Sequence, residues 1–318
     1  MSRFREIDLS RLAARSARER TTRVDLSRLG SPVSPDDAAI LDKLPDLLGA
    51  ADLNAVVAAT ARAARHDKPV LVMTGGHVIK TGCAVPLLQW IDRGVVRALA
   101  MNGAAAIHDF EIALYGATSE DVEAELAAGT FGMADETVER MNLVTKEAHE
   151  RGEGLGEALG RHLVETGAPH LDRSLLAGAA RRNLPLTVHV AIGTDILHQH
   201  PSADGAAIGA TTLRDFRILA EAIRPLAGGV VLNLGSAVVL PEVFLKVLSI
   251  HLNLGEKVTD LTTADFDFLR HYRPTQNVVR RPTAGGRGRG YSITGHHEIL
   301  VPLLVAGVLR ALEARPTA

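Results

Sequence analysis

The stretch GGVVLNLGSAVVL, Gly228–Leu240, decides the fold class of this chain. Its apolar run Val230–Leu234 is short and has glycines before and after it, which is typical of a fully buried strand in a parallel sheet. Gly235 and Ser236 then supply the small residues of a tight turn at the carboxyl end of that strand. This pattern predicts an α/β protein whose sheet lies inside the molecule.

Similar apolar runs alternate with helical stretches from Lys68 onward, which favours a parallel sheet with helices on both faces. We predict strands at Pro69–Thr74, Val95–Met101, Leu186–Ile192, Val230–Leu234 and Phe266–Arg270. A long helical insertion separates the second strand from the third, and Thr118-Ser119-Glu120-Asp121 predicts a capped helix start within it. We assign residues 1–45 to an N-terminal arm and 46–318 to a single α/β domain.

Composition narrows the possible functions. Of the 318 residues, 46% are hydrophobic and 23% charged, as in ordinary globular proteins, and the net charge is -2. That charge and 3% aromatic residues argue against a nucleic-acid partner. No apolar run reaches the roughly 18 residues of a membrane helix. A single cysteine and a charged first stretch favour the cytoplasm, and the preference for arginine and alanine favours a bacterial source.

The predicted ligand site follows from the direction of the strands, because open parallel sheets bind ligands beyond their carboxyl ends. Small residues and titratable groups coincide after four of the five predicted strands. A P-loop is excluded because Thr74 and Ile79 replace its two glycines. The dinucleotide fingerprint GxGxxG is also absent after every predicted strand. We interpret the glycine- and arginine-rich stretch Ala284–Gly290 as a mobile loop.

Histidines are concentrated at this predicted edge. His108, with Asp109 to orient it, is our candidate general base, since a neutral imidazole accepts protons near neutral pH. His198, His200 and His296 are further candidates for acid or charge-stabilising roles. The segment from Asp195 to His200 also leaves open a metal-dependent hydrolase or lyase, although it shows no recurring zinc spacing and we assign no metal.

Two further segments carry a family resemblance. Ala264-Asp265-Phe266 and Pro302-Leu303-Leu304-Val305-Ala306, with the order of the strands, resemble deoxyhypusine synthase over roughly residues 68–309. The resemblance implies a Rossmann-like NAD-binding fold, transferase-type chemistry, and a homotetramer built as a dimer of dimers. It also implies these cofactor-binding residues: Thr74, Gly75, Gly103, Ala104, Thr194, Asp195, Gly235 and Ser236.

The sequence departs from that family where the reaction takes place. The family has a reactive lysine after two valines, and here Leu240 follows Val238 and Val239. Without that lysine no imine forms there, so synthesis of deoxyhypusine is not expected. The family's paired acids, which hold a polyamine, align with Ile107 and His108. The pocket therefore changes from acidic to neutral or positive.

We therefore expect an NAD-binding enzyme of the deoxyhypusine synthase-like fold that uses histidine acid–base chemistry. Its small substrate would carry a carboxylate or a phosphate, with arginine as the anion-binding group. The substrate-binding residues that we predict are His77, Arg273, Asn277, His297 and Glu298. A non-catalytic nucleotide-binding protein remains an alternative interpretation of the same sequence.

Overall fold

A computed structural model describes residues 7–9, 12, 13 and 15–314. Its strands are β1 Thr22–Asp25, β2 Val70–Thr74, β3 Ala98–Asn102, β4 Ala117–Glu120, β5 Leu186–His189, β6 Val230–Leu234, β7 Leu261–Asp267 and β8 Gly288–Thr294. Its α-helices are α1 Leu48–Arg65, α2 Gly76–Lys80, α3 Ala84–Asp92, α4 Gly103–Tyr115, α5 Val122–Ala127, α6 Asp135–Arg151, α7 Leu155–Glu165, α8 Leu175–Arg181, α9 Gly205–Ala222, α10 Val239–Asn253, α11 Tyr272–Pro274, α12 Arg281–Thr283 and α13 His297–Glu313. A π-helical segment, Thr275–Arg280, joins α11 to α12.

Within the described residues, six strands form a sheet in the order β5-β3-β2-β6-β7-β8, and every neighbouring pair is parallel. This is the 3-2-1-4-5-6 order of a doubly wound Rossmann sheet. The order of the strands reverses between β2 and β6, whose register pairs Val70 with Val230 and Thr74 with Leu234. The predicted α/β class and parallel sheet are confirmed, and the fold places its ligand crevice where β2 and β6 end.

Helices cover both faces of the sheet because its central strands are buried on both sides. Alternate residues of β2 point to opposite faces. Val70 and Val72 join one hydrophobic cluster, while Leu71 and Met73 join the other. The sheet is therefore the shared core of two helical layers, and its ends are held rigidly enough to position a site.

Three local predictions were wrong. The fifth predicted strand occupies Leu261–Asp267 instead of Phe266–Arg270, because its buried residues include threonines and aspartates that hide it from a hydrophobicity pattern. Part of the predicted loop Ala284–Gly290 belongs to the edge strand β8, where glycines lie close to neighbouring backbone. The expected helix start at Thr118–Asp121 is mostly strand β4, and the helix α5 begins after Asp121.

The N-terminal arm packs against the insertion of its own chain. Strand β1 pairs antiparallel with β4, Thr22 opposite Glu120. This part of the arm therefore completes a small sheet within one chain. Residues 1–6, 10, 11 and 14 of the arm, and 315–318 of the predicted domain, lie outside the described residues. In the remainder of the chain, no helix has both the length and the apolar character needed to cross a membrane.

Candidate functional site

The turns after β2 and β6 are packed directly against each other. The N–H of Gly75 donates to the carbonyl of Leu234 at 2.9 Å, and the N–H of Gly235 donates to that of Phe266 at 3.0 Å. A side chain at Gly75 would collide with the backbone of Gly235. The hydroxyl of Thr74 is buried and has no hydrogen-bond partner among the described residues. These expected cofactor-binding residues therefore form the floor of the crevice.

The neighbouring turn, after β3, presents the start of helix α4. The side chain of Asn102 accepts a hydrogen bond from the N–H of Ala105 at 2.9 Å and so caps this helix. The carboxylate of Asp195, from the loop after β5, lies against Gly103, where a larger residue would collide with it. Burial raises the pKa of Asp195 to about 6. Helix N-termini favour negative charge, so the start of α4 is a candidate anion-binding position with the Asp195 carboxylate beside it.

Between these elements lies a cavity of about 230 Å³. It brings His108 together with three expected cofactor-binding residues, Ala104, Thr194 and Asp195. The cavity is lined by Arg20, Lys80, Ala104, Ile107, His108, Glu111, Ser119, Glu120, Val122, Phe131, Thr194, Asp195 and Ile196. A larger cavity, of about 510 Å³, has Pro185 and Leu186 at the amino end of β5 in its lining. It lies at the wrong end of the sheet for Rossmann-type ligand binding.

His108 is held by a chain of hydrogen bonds. Its Nδ1 lies 2.8 Å from the hydroxyl oxygen of Thr118, which donates to Glu111 at 2.5 Å. Glu111 also accepts from Thr137 at 3.2 Å and from Arg20 at 2.6 Å. Because His108 and Glu111 are three residues apart on α4, they share one face of the helix. Nδ1 is therefore occupied inside the protein, and Nε2 is the ring nitrogen available to a ligand.

The cavity has a positive side. Arg20 forms ion pairs with Glu111 and with Glu120, the latter at 3.0 Å, whereas Lys80 has no carboxylate partner among the described residues. Burial, and then the charges of Lys80 and Arg20, lower the pKa of His108 to about 4. Burial also raises the pKa of Glu111, while Arg20 and the threonine hydroxyls act in the opposite direction. His108 is consequently neutral near pH 7 and faces a free ammonium group.

Asp109 does not orient His108, so this part of the prediction was wrong. Consecutive residues of a helix point in different directions, and the Asp109 side chain faces α8. Its carboxylate accepts from the Ser174 hydroxyl at 2.5 Å and from the N–H groups of Leu175 and Leu176 at 2.8 and 2.9 Å. Burial raises the pKa of Asp109 to about 6 in spite of these bonds. Asp109 ties α8 to α4.

His198 and His200 lie near the same loop but serve local structure. Nδ1 of His198 accepts from the N–H groups of Gly193 and Asp195, each at 3.2 Å, and burial lowers the pKa of this histidine. Nδ1 of His200 lies 2.8 Å from the Ser202 hydroxyl. Across the part of the chain that the structure describes, no three His, Cys, Asp or Glu side chains are arranged to hold a metal ion. The geometry therefore does not support the alternative of a metal centre formed by Asp195, His198 and His200.

Another group of histidines surrounds Phe268 beyond β7. The ring of His77 lies 5.3 Å from those of Phe268 and His297, and the ring of His296 stacks on Phe268 at 6.3 Å. His297 is fully buried beside Gly235, and its Nε2 donates to the carbonyl of Phe266 at 3.0 Å. Glu298 lies 3.9 Å from His296 at the exposed start of α13. The structure thus gathers four predicted residues here, none of which lines the His108 cavity.

The predicted anion-binding residues after β7 are already paired. Arg273 donates to Glu242 at 3.1 Å, and the Asn277 amide donates to the same carboxylate at 2.8 Å. Lys246 holds Glu242 from the other side at 2.5 Å. Arg273 therefore already has a carboxylate partner, which it shares with Lys246. Lys80 is the better candidate for the anion-binding role.

Leu240, the position aligned with the reactive lysine, is fully buried in the second hydrophobic cluster. We predict that Leu240→Lys destabilises the fold by about 3 kcal/mol, because an ammonium group would have to be buried without a partner. Chemical denaturation measures this change. The control is Val238→Lys, since Val238 is 49% exposed. This substitution should change the free energy of unfolding by no more than about 0.5 kcal/mol. Equal stability of both variants would contradict the burial of residue 240.

Four residues of the site were missed in the sequence: Arg20, Lys80, Glu111 and Thr118. Lys80 ends the short helix after the first strand, a position that could have been recognised. Glu111 lies three residues after His108 on the same helix, a spacing that could also have been recognised. Arg20 and Thr118 come near His108 only through contacts that span the arm, helix α4 and strand β4. No local pattern marks them.

Comparison with known proteins supports the fold. No family model matches this sequence, and no curated protein matches it either. Among solved structures, a protein assigned to the LOR/SDH group from Methanococcus maripaludis S2 has a TM-score of 0.52 at 14% identity, over 89% of this chain and 74% of that one. A protein assigned as a deoxyhypusine synthase from Entamoeba histolytica has a TM-score of 0.50 at 10% identity, over 87% of this chain and 96% of that one.

A third similar structure is AgrE in a ternary complex with ornithine and NAD⁺, with a TM-score of 0.51 at 18% identity. The match covers 81% of this chain but only 33% of AgrE, so the chain spans about a third of that protein's length. Together with the strand order, these likenesses define the class: a Rossmann-like α/β protein. More particularly, its fold is deoxyhypusine synthase-like, as the sequence predicted.

Proposed function

We propose that this protein is an NAD-dependent enzyme that acts on a small substrate bearing a carboxylate or a phosphate, with His108 as the general base. The observation that supports this most is the Nε2 of a neutral, half-buried imidazole facing a cavity beside a free ammonium group, at the carboxyl ends of a Rossmann sheet. The AgrE complex, which contains NAD⁺ and an amino acid, supports the same combination of ligands.

The residues at the crevice fit a nucleotide. Gly75 and Gly103 stand where added side chains would collide with neighbours, and Gly103 and Ala104 open helix α4 with N–H groups suited to an anion. The carboxylate of Asp195 is suited to accept hydrogen bonds from ribose hydroxyls. Thr74 and Ser236 would line the floor. Bound NAD would supply a hydride acceptor.

The chain's own residues would bind the substrate and remove its proton. Lys80 would hold the anionic group of the substrate by charge. His108 Nε2 would take a proton from another part of the substrate. At about 230 Å³ the cavity is smaller than the roughly 300–1,000 Å³ of sites for drug-sized ligands, so a small substrate suits it. Phe131 and Ile196 add an apolar wall that limits water around the transferred proton.

Titration calorimetry with NAD⁺ tests the cofactor. We expect wild-type protein to bind NAD⁺ and Asp195→Asn to bind it about 10–100-fold more weakly, because a charged hydrogen bond contributes roughly 1.5–3 kcal/mol. The control is Asp92→Asn, which removes a surface carboxylate paired with Arg182. It should bind as wild type does. Absence of binding by the wild type would overturn the cofactor assignment, and equal binding by both variants would remove Asp195 from it.

A further inference from the structure

We propose that Arg20, from the N-terminal arm, is a positioning residue that selects the tautomer of His108 through Glu111 and Thr118. The proposal rests on the proposed role of His108 as general base and adds the device that keeps its Nε2 free of a proton. The chain of contacts is continuous: Arg20 to Glu111 at 2.6 Å, Glu111 to Thr118 at 2.5 Å, and Thr118 to His108 at 2.8 Å.

The single hydroxyl hydrogen of Thr118 makes this chain directional. When Glu111 is ionised it can only accept, so Thr118 donates to it. The Thr118 oxygen then accepts from Nδ1–H of His108, which leaves the proton of a neutral ring on Nδ1 and the lone pair on Nε2. If Glu111 were protonated, it would donate to Thr118 and Thr118 would donate to Nδ1. The ring would then carry its proton on Nε2 and could not act as a base there.

Arg20 decides between these two arrangements because its guanidinium, 2.6 Å from Glu111, stabilises the ionised carboxylate. The side chains of both residues are only 2% exposed, so water cannot replace the guanidinium. A buried carboxyl group that loses its cationic partner takes up a proton. Glu120 could not substitute, since it is itself a carboxylate and accepts from Arg20 and from the N–H of Gly132 at 2.9 Å. Without Arg20, Glu111 would therefore take up a proton from solvent. The hydrogen bonds between Glu111 and Thr118 and between Thr118 and His108 would then reverse their direction.

This arrangement makes the arm part of the site. The arm is anchored on α6, where the Ser16 hydroxyl and the N–H of Ala17 both donate to Glu136 at 2.5 Å. Strand β1 begins shortly after Arg20 and pairs with β4, which carries Thr118. Docking of the arm and the correct tautomer of His108 are therefore coupled in one structure.

Nitrogen-15 NMR of the histidine rings tests the proposal on the full chain, with His108→Gln used to identify the His108 signals. In wild-type protein near pH 7 we expect Nδ1 to be protonated and Nε2 to show the signal of an unprotonated nitrogen. In Arg20→Met the two signals should exchange, with loss of the unprotonated Nε2 signal. Arg20→Lys, which retains a cation, should keep the wild-type pattern. Arg161→Met is the matched control, since Arg161 also pairs with two glutamates but contacts neither Glu111 nor His108.

Glu111→Gln serves as a second variant if Arg20→Met does not fold, because it keeps the size of the side chain and removes its charge. Its amide should donate to Thr118 and produce the same exchange of signals. The proposal is overturned if wild-type His108 carries its proton on Nε2, or if the folded Arg20→Met or Glu111→Gln protein keeps the wild-type pattern. The tautomer is measured without cofactor or turnover, so failure to bind NAD⁺ would overturn the proposed function and leave this result standing.

Discussion

His108→Ala is expected to lower the turnover of this protein by about 10²–10⁴-fold, the contribution of a well-placed general base. The ring lines the cavity, is hydrogen-bonded to the buried Thr118 and belongs to neither hydrophobic cluster, so its removal should leave the sheet and both clusters in place. The measurement is the rate at which a panel of small amino and hydroxy acids reduces NAD⁺, followed by the absorbance of the reduced cofactor. Circular dichroism checks that the variant is folded.

The dependence on pH gives this prediction a second readout. The pKa of His108 falls from its usual 6.5 to about 4 in the folded chain, so the folded state binds the proton more weakly than the unfolded state. The stability that this neutral ring contributes is fully present above pH 6.5 and is lost as the pH falls toward 4. For the same reason, titration of His108 should leave the rate unchanged between about pH 5 and pH 8 and lower it below about pH 4.

A matched control is His149→Ala, which removes an exposed histidine at the end of α6 and should leave both rate and pH profile unchanged. Turnover by a folded His108→Ala protein at the wild-type rate would exclude His108 as the base. The histidines around Phe268 would then be the next candidates.

The fold could be predicted because buried parallel strands leave a strong local signal. Val230–Leu234 was predicted with the observed bounds, since a five-residue segment with four apolar residues between glycines has few other structures available. Strand β7 was misplaced because it buries polar side chains that find hydrogen-bond partners inside the protein. Asp265, for example, accepts from the Asn233 amide at 2.8 Å. A sequence pattern predicts such polar residues to be exposed, although they are hydrogen-bonded in the interior of the folded protein.

The site was predictable only where its residues follow a strand directly. His108 and Asp195 were found in this way, because the carboxyl ends of parallel strands meet at one edge of the sheet. The partners of His108 were not found. Arg20 lies 91 residues before Glu111, and the two are brought together where β1 pairs with β4. The role of Asp109 was misjudged for the opposite reason, since adjacency in sequence suggested a contact that the geometry of a helix forbids.

Asp109→Ala should destabilise the fold by about 5 kcal/mol, because it leaves three buried donors without an acceptor and each costs roughly 1–3 kcal/mol. Chemical denaturation measures the loss, and Asp172→Ala is the control, since its side chain is 72% exposed beside Arg173. If Asp109 instead oriented His108, the variant would keep its stability and lose activity with a shifted pH profile. The carboxylate is fully buried against Ser174, Leu175 and Leu176, so the structure predicts the stability loss. The substitution Asp109→Asn should cost less stability than Asp109→Ala but more than the control, because an amide retains one acceptor oxygen where the carboxylate has two.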